Sequence, residues 1–116
     1  MEKVQYLRAN TSQNLASAAL SYTTSFGTNF KLCQVLLKAS TNITETVTVT
    51  LDNGTGSNYD VVLDSTSLSA AQNYVFRPSG DCIFMDGDEV KVACTNAGAT
   101  GIVYVTIIAE PYGQQK

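Results

Sequence analysis

The stretch Thr46–Leu51 does most to limit what this chain can fold into. Val47, Val49 and Leu51 alternate with Thr46, Thr48 and Thr50, and a two-residue period puts one face of an extended strand in a core and the other in water. The run ends in Asp52-Asn53-Gly54 with Gly56 close behind, and Asn-Gly accepts the positive φ of a tight hairpin turn. Asn58–Asp64 then resumes the alternation with Tyr59, Val61 and Leu63 on one face. The segment reads as a β-hairpin.

The rest of the chain repeats this grammar. Lys3–Arg8 can extend as a strand, Leu15–Leu20 has the alanine content of a helical turn, and Ser21–Thr24 is β-like. Phe30–Ala39 is apolar on both faces. Ser65–Ala71 suits a connection, and Asn73–Arg77 offers Tyr74 and Phe76 before Pro78, Ser79 and Gly80 stop it. Asp81–Met85, the turn Asp86-Gly87-Asp88 and Glu89–Cys94 read as a second hairpin, with Val90, Val92 and Cys94 opposite Lys91. Thr95–Gly101 is a turn, and Ile102–Ala109 is a closing strand ended by Pro111. Fourteen Thr, ten Ser and eight Asn make up much of the polar complement, and Thr, Val and Tyr fit a pleated, half-buried surface. Short strands at this spacing predict an all-β fold, a two-sheet antiparallel β-sandwich of jelly-roll type. Residues 1–116 form one domain, with 1–14 as an N-terminal arm or first strand. The expected core includes Val47, Val49, Leu51, Tyr59, Val61, Leu63, Val90 and Val92.

Charge and residue inventory narrow the function. A net charge of -3 with seven scattered basic residues argues against nucleic acid as a partner. No apolar run approaches the length of a membrane span, and Met1–Asn10 has no apolar segment ending in small residues, so synthesis without a signal peptide is expected. Histidine is absent, as are a nucleophile elbow and a phosphate-binding glycine loop, so no catalysis is expected. Asp86, Asp88 and Glu89 resemble part of a calcium loop, and Asp52, Asn53 and Asn58 raise the same thought. A turn whose aspartates bond backbone amides accounts for both groups, and no metal or cofactor is expected. Cys33, Cys82 and Cys94 make an odd set without a Cys-x-x-C pair and read as reduced, with Cys33 and Cys94 facing inward. The sequons at Asn10, Asn42 and Asn53 read as turn and strand composition. Six tyrosines keep a second function in view, a non-catalytic glycan- or receptor-binding module, although core packing explains them more simply.

From Thr46 onward the order "TVTVTLDNGTGSNYDVVLD", "NYVFRP", "DGDEVKV" and "GIVYVTIIAE" resembles small β-sandwich proteins of tailed-bacteriophage virions, such as capsid decoration or cement proteins and head-fibre bases. The resemblance implies a structural virion protein assembled in the host cytoplasm. Such a protein would bind the major capsid protein or another particle component, which it stabilises or decorates.

Two strands point to where such contacts fall. Phe30, Leu32 and Leu36 are expected to oppose Cys33, Val35 and Leu37, and Ile102, Tyr104 and Ile108 to oppose Val103, Val105 and Ile107. Each strand then carries a surplus apolar face, which soluble monomers rarely leave open. Phe30, Leu32, Leu36, Ile102, Tyr104 and Ile108 are the candidate interface, with Val4, Tyr6 and Leu15 as part of a possible cover. A homo-oligomer is expected.

Overall fold

The computed structural model describes residues 5–97 and 101–113. Lys3 and Val4, at the expected start of the first strand, and Gly98 in the 95–101 turn lie outside the described residues. Among the described residues nine strands follow in order: β1 (Leu7–Asn14), β2 (Leu20–Thr24), β3 (Phe30–Ile43), β4 (Thr46–Asp52), β5 (Val61–Ser67), β6 (Ala71–Phe76), β7 (Ile83–Phe84), β8 (Glu89–Cys94) and β9 (Ile102–Pro111). One sheet runs β1-β9-β3-β6, with β7 also against β3, and the other runs β2-β8-β4-β5. Every strand pairing is antiparallel.

The pairs β4/β5, β3/β6, β2/β8 and β1/β9 nest around the turn between β4 and β5. The chain is therefore one long hairpin rolled into two facing sheets, which is the jelly-roll order. Its centre is the Asp52-Asn53-Gly54 segment marked by the alternating strand before it. Expected β1 and arm merge into one edge strand, whose residues Leu7 to Asn14 pair with β9 in unbroken register. The 15–19 segment forms a turn closed by Asn14, whose carbonyl accepts from the amides of Ser17 and Ala18.

The core lies between the sheets. Phe30, Leu32, Val35, Leu37 and Ala39 of β3 meet Val103, Val105, Ile107 and Ala109 of β9, and Val47, Val49, Val90, Val92 and Cys94 come from the opposite sheet. Phe30 stacks on Phe84 with ring centroids 4.8 Å apart, and Phe26 meets Phe30 edge-on at 4.9 Å. Leu51 and Leu63 pack at the margin of this cluster.

Two β-bulges correct the expected faces. In β3 the register passes from Leu32 opposite Ala109 to Gln34 opposite Ile108, so Cys33 is the extra residue. A bulge shifts the phase of alternation, and Phe30 and Leu32 therefore point inward with Val35 and Leu37. Both are core residues, 0% and 2% exposed, and cannot belong to a surplus outer face. Cys33, expected inside, is only half-buried. In β5 the register passes from Asp64 opposite Val49 to Val62 opposite Thr50, leaving Leu63 as the extra residue. Tyr59 falls in a short 3₁₀ turn, Ser57–Tyr59, before the strand. Tyr59 and Val61 are exposed, at 59% and 53%, Val61 because it stands opposite Leu51 at the open start of an edge strand, and the expectation that they line the core is wrong.

The hairpin expected over 81–94 is also absent. β7 pairs with β3, whereas β8 pairs with β2 and β4 in the other sheet, so Asp86-Gly87-Asp88 turns a corner between sheets. The expected 65–71 connection is shorter, because β5 continues to Ser67 and β6 begins at Ala71.

The bulge at Cys33 makes a direct prediction. Leu32→Lys should cost about 3 kcal/mol or more by burying an unpaired charge, and Leu36→Lys, on the outer face of the same strand, less than about 1 kcal/mol. Urea unfolding of the two variants measures the contrast.

Candidate functional site

The acidic turn is built from the sequence neighbours that suggested it, and the carboxylate of Asp88 has protein partners. Asp88 is buried, and its Oδ1 accepts from the Gly54 amide at 2.8 Å while its Oδ2 accepts from the Met85 amide at 3.0 Å. The Asp88 amide in turn donates to the Met85 carbonyl at 2.9 Å. Asp88 thus ties the central β4–β5 turn to the corner before β8. A side chain at Gly54 would bring Cβ within 2.6 Å of the Gly87 carbonyl oxygen, so glycine is required by the close approach of two backbones. An open cleft of about 410 Å³ lies over this corner, lined by Asn53, Thr55, Met85 and Asp86 as well as these residues. Among the described residues no group of three or more acidic, cysteine or histidine side chains is arranged to hold a metal ion.

Two further acids, neither singled out by the sequence, act in the same way. Glu45 is 5% exposed, and its Oε1 accepts from the Thr95 hydroxyl at 2.6 Å and from the Ala97 amide at 3.0 Å. Asp64 turns inward after the β5 bulge, and its Oδ2 accepts from the Thr66 hydroxyl at 2.8 Å and from the Tyr74 hydroxyl at 2.6 Å. Tyr74 sits on β6, in the other sheet, so this bond crosses the sandwich. Among the described residues every buried side-chain nitrogen and oxygen has a hydrogen-bond partner.

The three cysteines are separate thiols. Burial, then the charge of Glu45, pushes Cys94 up to about 11. Burial also raises Cys33, helped by the Glu110 carboxylate and opposed by Lys31, and burial raises Cys82.

Of the candidate interface, Leu36, Ile102, Tyr104 and Ile108 stay on the outer face of the β1-β9-β3-β6 sheet. Tyr104 is 50% exposed and the other three are half-buried. They do not form a continuous apolar field, because cross-strand neighbours interrupt them: Ser12 and Lys38 flank Tyr104, and Asn10 and Leu36 flank Thr106. Exposed apolar side chains also stand where β5 begins, at Tyr59, Val61 and Val62. The only sequence signal for this was the failure of Val61-Val62 to alternate. Tyr59, Tyr74 and Tyr104 form no common platform, since Tyr104 lies on the outer face of one sheet and Tyr59 precedes the edge strand of the other, while Tyr74 is buried.

A second cleft of about 400 Å³ opens on the outer face of the first sheet, lined by Tyr6, Arg8, Cys33, Gln34, Arg77 and Ile108. One row of cross-strand neighbours builds it. Arg8 is opposite Ile108, Ile108 is opposite Gln34, and Arg77 Nε donates to Gln34 Oε1 at 3.1 Å.

No protein-family model matches the chain, and no curated protein sequence matches it. Among solved structures the chain is similar to the Drosophila NLP core, described for its pentamer formation and histone binding. The TM-score is 0.48 with 19% identity, covering 87% of this chain and 95% of that one.

These contacts yield three expected outcomes. Asp88→Ala should lower stability by about 1–3 kcal/mol, because it strands the Gly54 and Met85 amides, as urea unfolding would show. Burial, followed by the hydrogen bond to and charge of Asp64, raises the Tyr74 phenol well above its ordinary value near 10. The unfolded chain then loses that proton first, so the contribution is whole below about pH 10 and is lost as pH rises further. Thermal unfolding between about pH 9 and pH 11 should fall less steeply in Tyr74→Phe than in the parent. Finally, iodoacetamide at about pH 8 should modify Cys94 last, and denaturant should abolish the order.

Proposed function

We propose that this protein is a non-catalytic structural subunit of a virion, which binds the capsid or another particle component and decorates or stabilises it, and which associates with copies of itself. The observation that carries the reading is the exposed start of β5. This strand is the edge of its sheet, its sequence VVLDSTS contains one charge and no proline or lysine, and Tyr59, Val61 and Val62 stand open beside it. Edge strands are ordinarily blunted by charge, proline or a cover, since their free amides and carbonyls pair with other chains. Here the bulge at Leu63 is the only such device on the strand, and the apolar side chains lie ahead of it.

The acids described above support the same reading, because Asp88, Glu45 and Asp64 are occupied in fixing loops and joining sheets. Contact surface is then the chemistry left to the protein. The strand-and-turn order from Thr46 onward supports a virion as the setting, with assembly in the host cytoplasm, where three unpaired thiols are at home.

Two measurements test the proposal. Sedimentation velocity across about 1 to 100 µM should show an oligomer that Val61→Lys/Val62→Lys shifts towards monomer with the fold intact. A monomer at all concentrations, indifferent to the substitutions, would remove self-association. Immunogold labelling of particles purified from a culture that carries the gene should decorate the particle, and antigen found solely outside particles would remove the virion role.

A further inference from the structure

Both arginines of the chain, Arg8 and Arg77, lie on the same cross-strand row although they are far apart in sequence. The row reads Arg8, Ile108, Gln34, Arg77 across β1, β9, β3 and the residue that follows β6. Four adjacent strands span about 14 Å between the outer Cα positions, given a spacing of about 4.8 Å. Two arginine side chains at the ends of such a row can lean over its middle, where Ile108 supplies an apolar floor and Gln34 an amide.

The ionic bookkeeping around the row is unusual for an acidic protein. Both arginines are exposed, and among the described residues neither has a carboxylate within ion-pair distance, whereas Lys31 holds both Asp81 at 3.7 Å and Glu110 at 3.8 Å. Glu110 lies two residues beyond Ile108 on β9, so the carboxylate that could have neutralised this end of the sheet is engaged by Lys31. Two guanidinium groups therefore face one cleft with open donor edges, and tyrosine and isoleucine line it beside them.

We infer that the Arg8–Arg77 cleft is a docking site for an extended peptide segment of a partner protein that presents a carboxylate next to an apolar side chain. The planar fork of arginine matches a carboxylate in two parallel hydrogen bonds. The apolar floor selects a segment with an aliphatic neighbour, and the overall charge of -3 disfavours long polyanions such as nucleic acid. The site deepens the contact function proposed above by naming the chemistry of one partner surface. Its test leaves β5 untouched, so failure here is separable from failure of self-association or of particle labelling.

The probe is an acetylated, amidated pentapeptide Gly-Glu-Leu-Glu-Gly, titrated to about 10 mM against the full ¹⁵N-labelled chain in low salt, a range that reads millimolar affinity. Saturable shifts are expected at the amides of Arg8, Gln34, Arg77 and Ile108, weakened by added salt. The same peptide with glutamine for glutamate should bind roughly tenfold more weakly, and Arg8→Gln and Arg77→Gln should each weaken binding by roughly fivefold without changing thermal unfolding. Cys33 lines the cleft, so the peptide should slow its alkylation and leave that of Cys82 unchanged. Absence of shifts at the highest concentration would overturn the inference, as would shifts elsewhere on the molecule. So would equal binding of the glutamine peptide, or inorganic phosphate binding as tightly as the peptide.

Discussion

The pairing of β3 with β9 is the constraint on which the molecule depends. These two strands are the inner pair of the first sheet, and each faces the other sheet with an unbroken apolar row. β3 is fourteen residues long, and without an irregularity its two ends would present opposite faces. The bulge at Cys33 absorbs one residue and lets Phe30 and Leu32 enter the same core as Val35, Leu37 and Ala39. It also opens the outer surface at that point, where Cys33 and Gln34 become part of the arginine-lined cleft. One extra residue thus serves packing on one side of the sheet and shapes a cleft on the other.

The buried and inward carboxylates form the second layer of the argument. Asp88 joins the central turn to the corner before β8, Glu45 fixes residues 95–97, and Asp64 reaches across the sandwich to Tyr74. Each satisfies backbone amides or hydroxyls that would be costly to leave unpaired in a low-dielectric setting. Carboxylates used this way are supports for loops and sheets. The exposed groups include the open start of β5 and two arginines that, among the described residues, have no carboxylate within ion-pair distance, beside Ile108.

Much of the architecture was legible in the residues. The alternation at 46–51, the Asn-Gly turn, the strand at 89–94 and the closing apolar strand all appear where the pattern puts them, because side-chain period and turn chemistry are local properties. In the acidic turn at 86–88 the expected carboxylate-to-amide bonding appears at Asp88, though the segment is a corner between sheets and not the expected hairpin turn. Legibility failed at Tyr59 and Val61, and at Phe30 and Leu32. At Phe30 and Leu32 a bulge changed the phase, with nothing in the strand's own sequence to announce it, whereas Tyr59 lies in a turn before β5 and Val61 at the open start of an edge strand. The cleft was unreadable for a different reason, since Arg8 and Arg77 meet only through the strand order β1-β9-β3-β6.

The sequence by itself therefore determined that this chain is a β-sandwich, where most strands lie and that β4 and β5 are joined as a hairpin, since those follow from two-residue periodicity and from the break in it at Asn53-Gly54, although the connection is a longer loop with positive φ at Gly56 and not at Asn53 or Gly54. Tertiary structure alone decided which apolar face is inside and which distant side chains share a surface. Those outcomes depend on register between strands far apart in the chain, and register is set by how two sheets pack around one core.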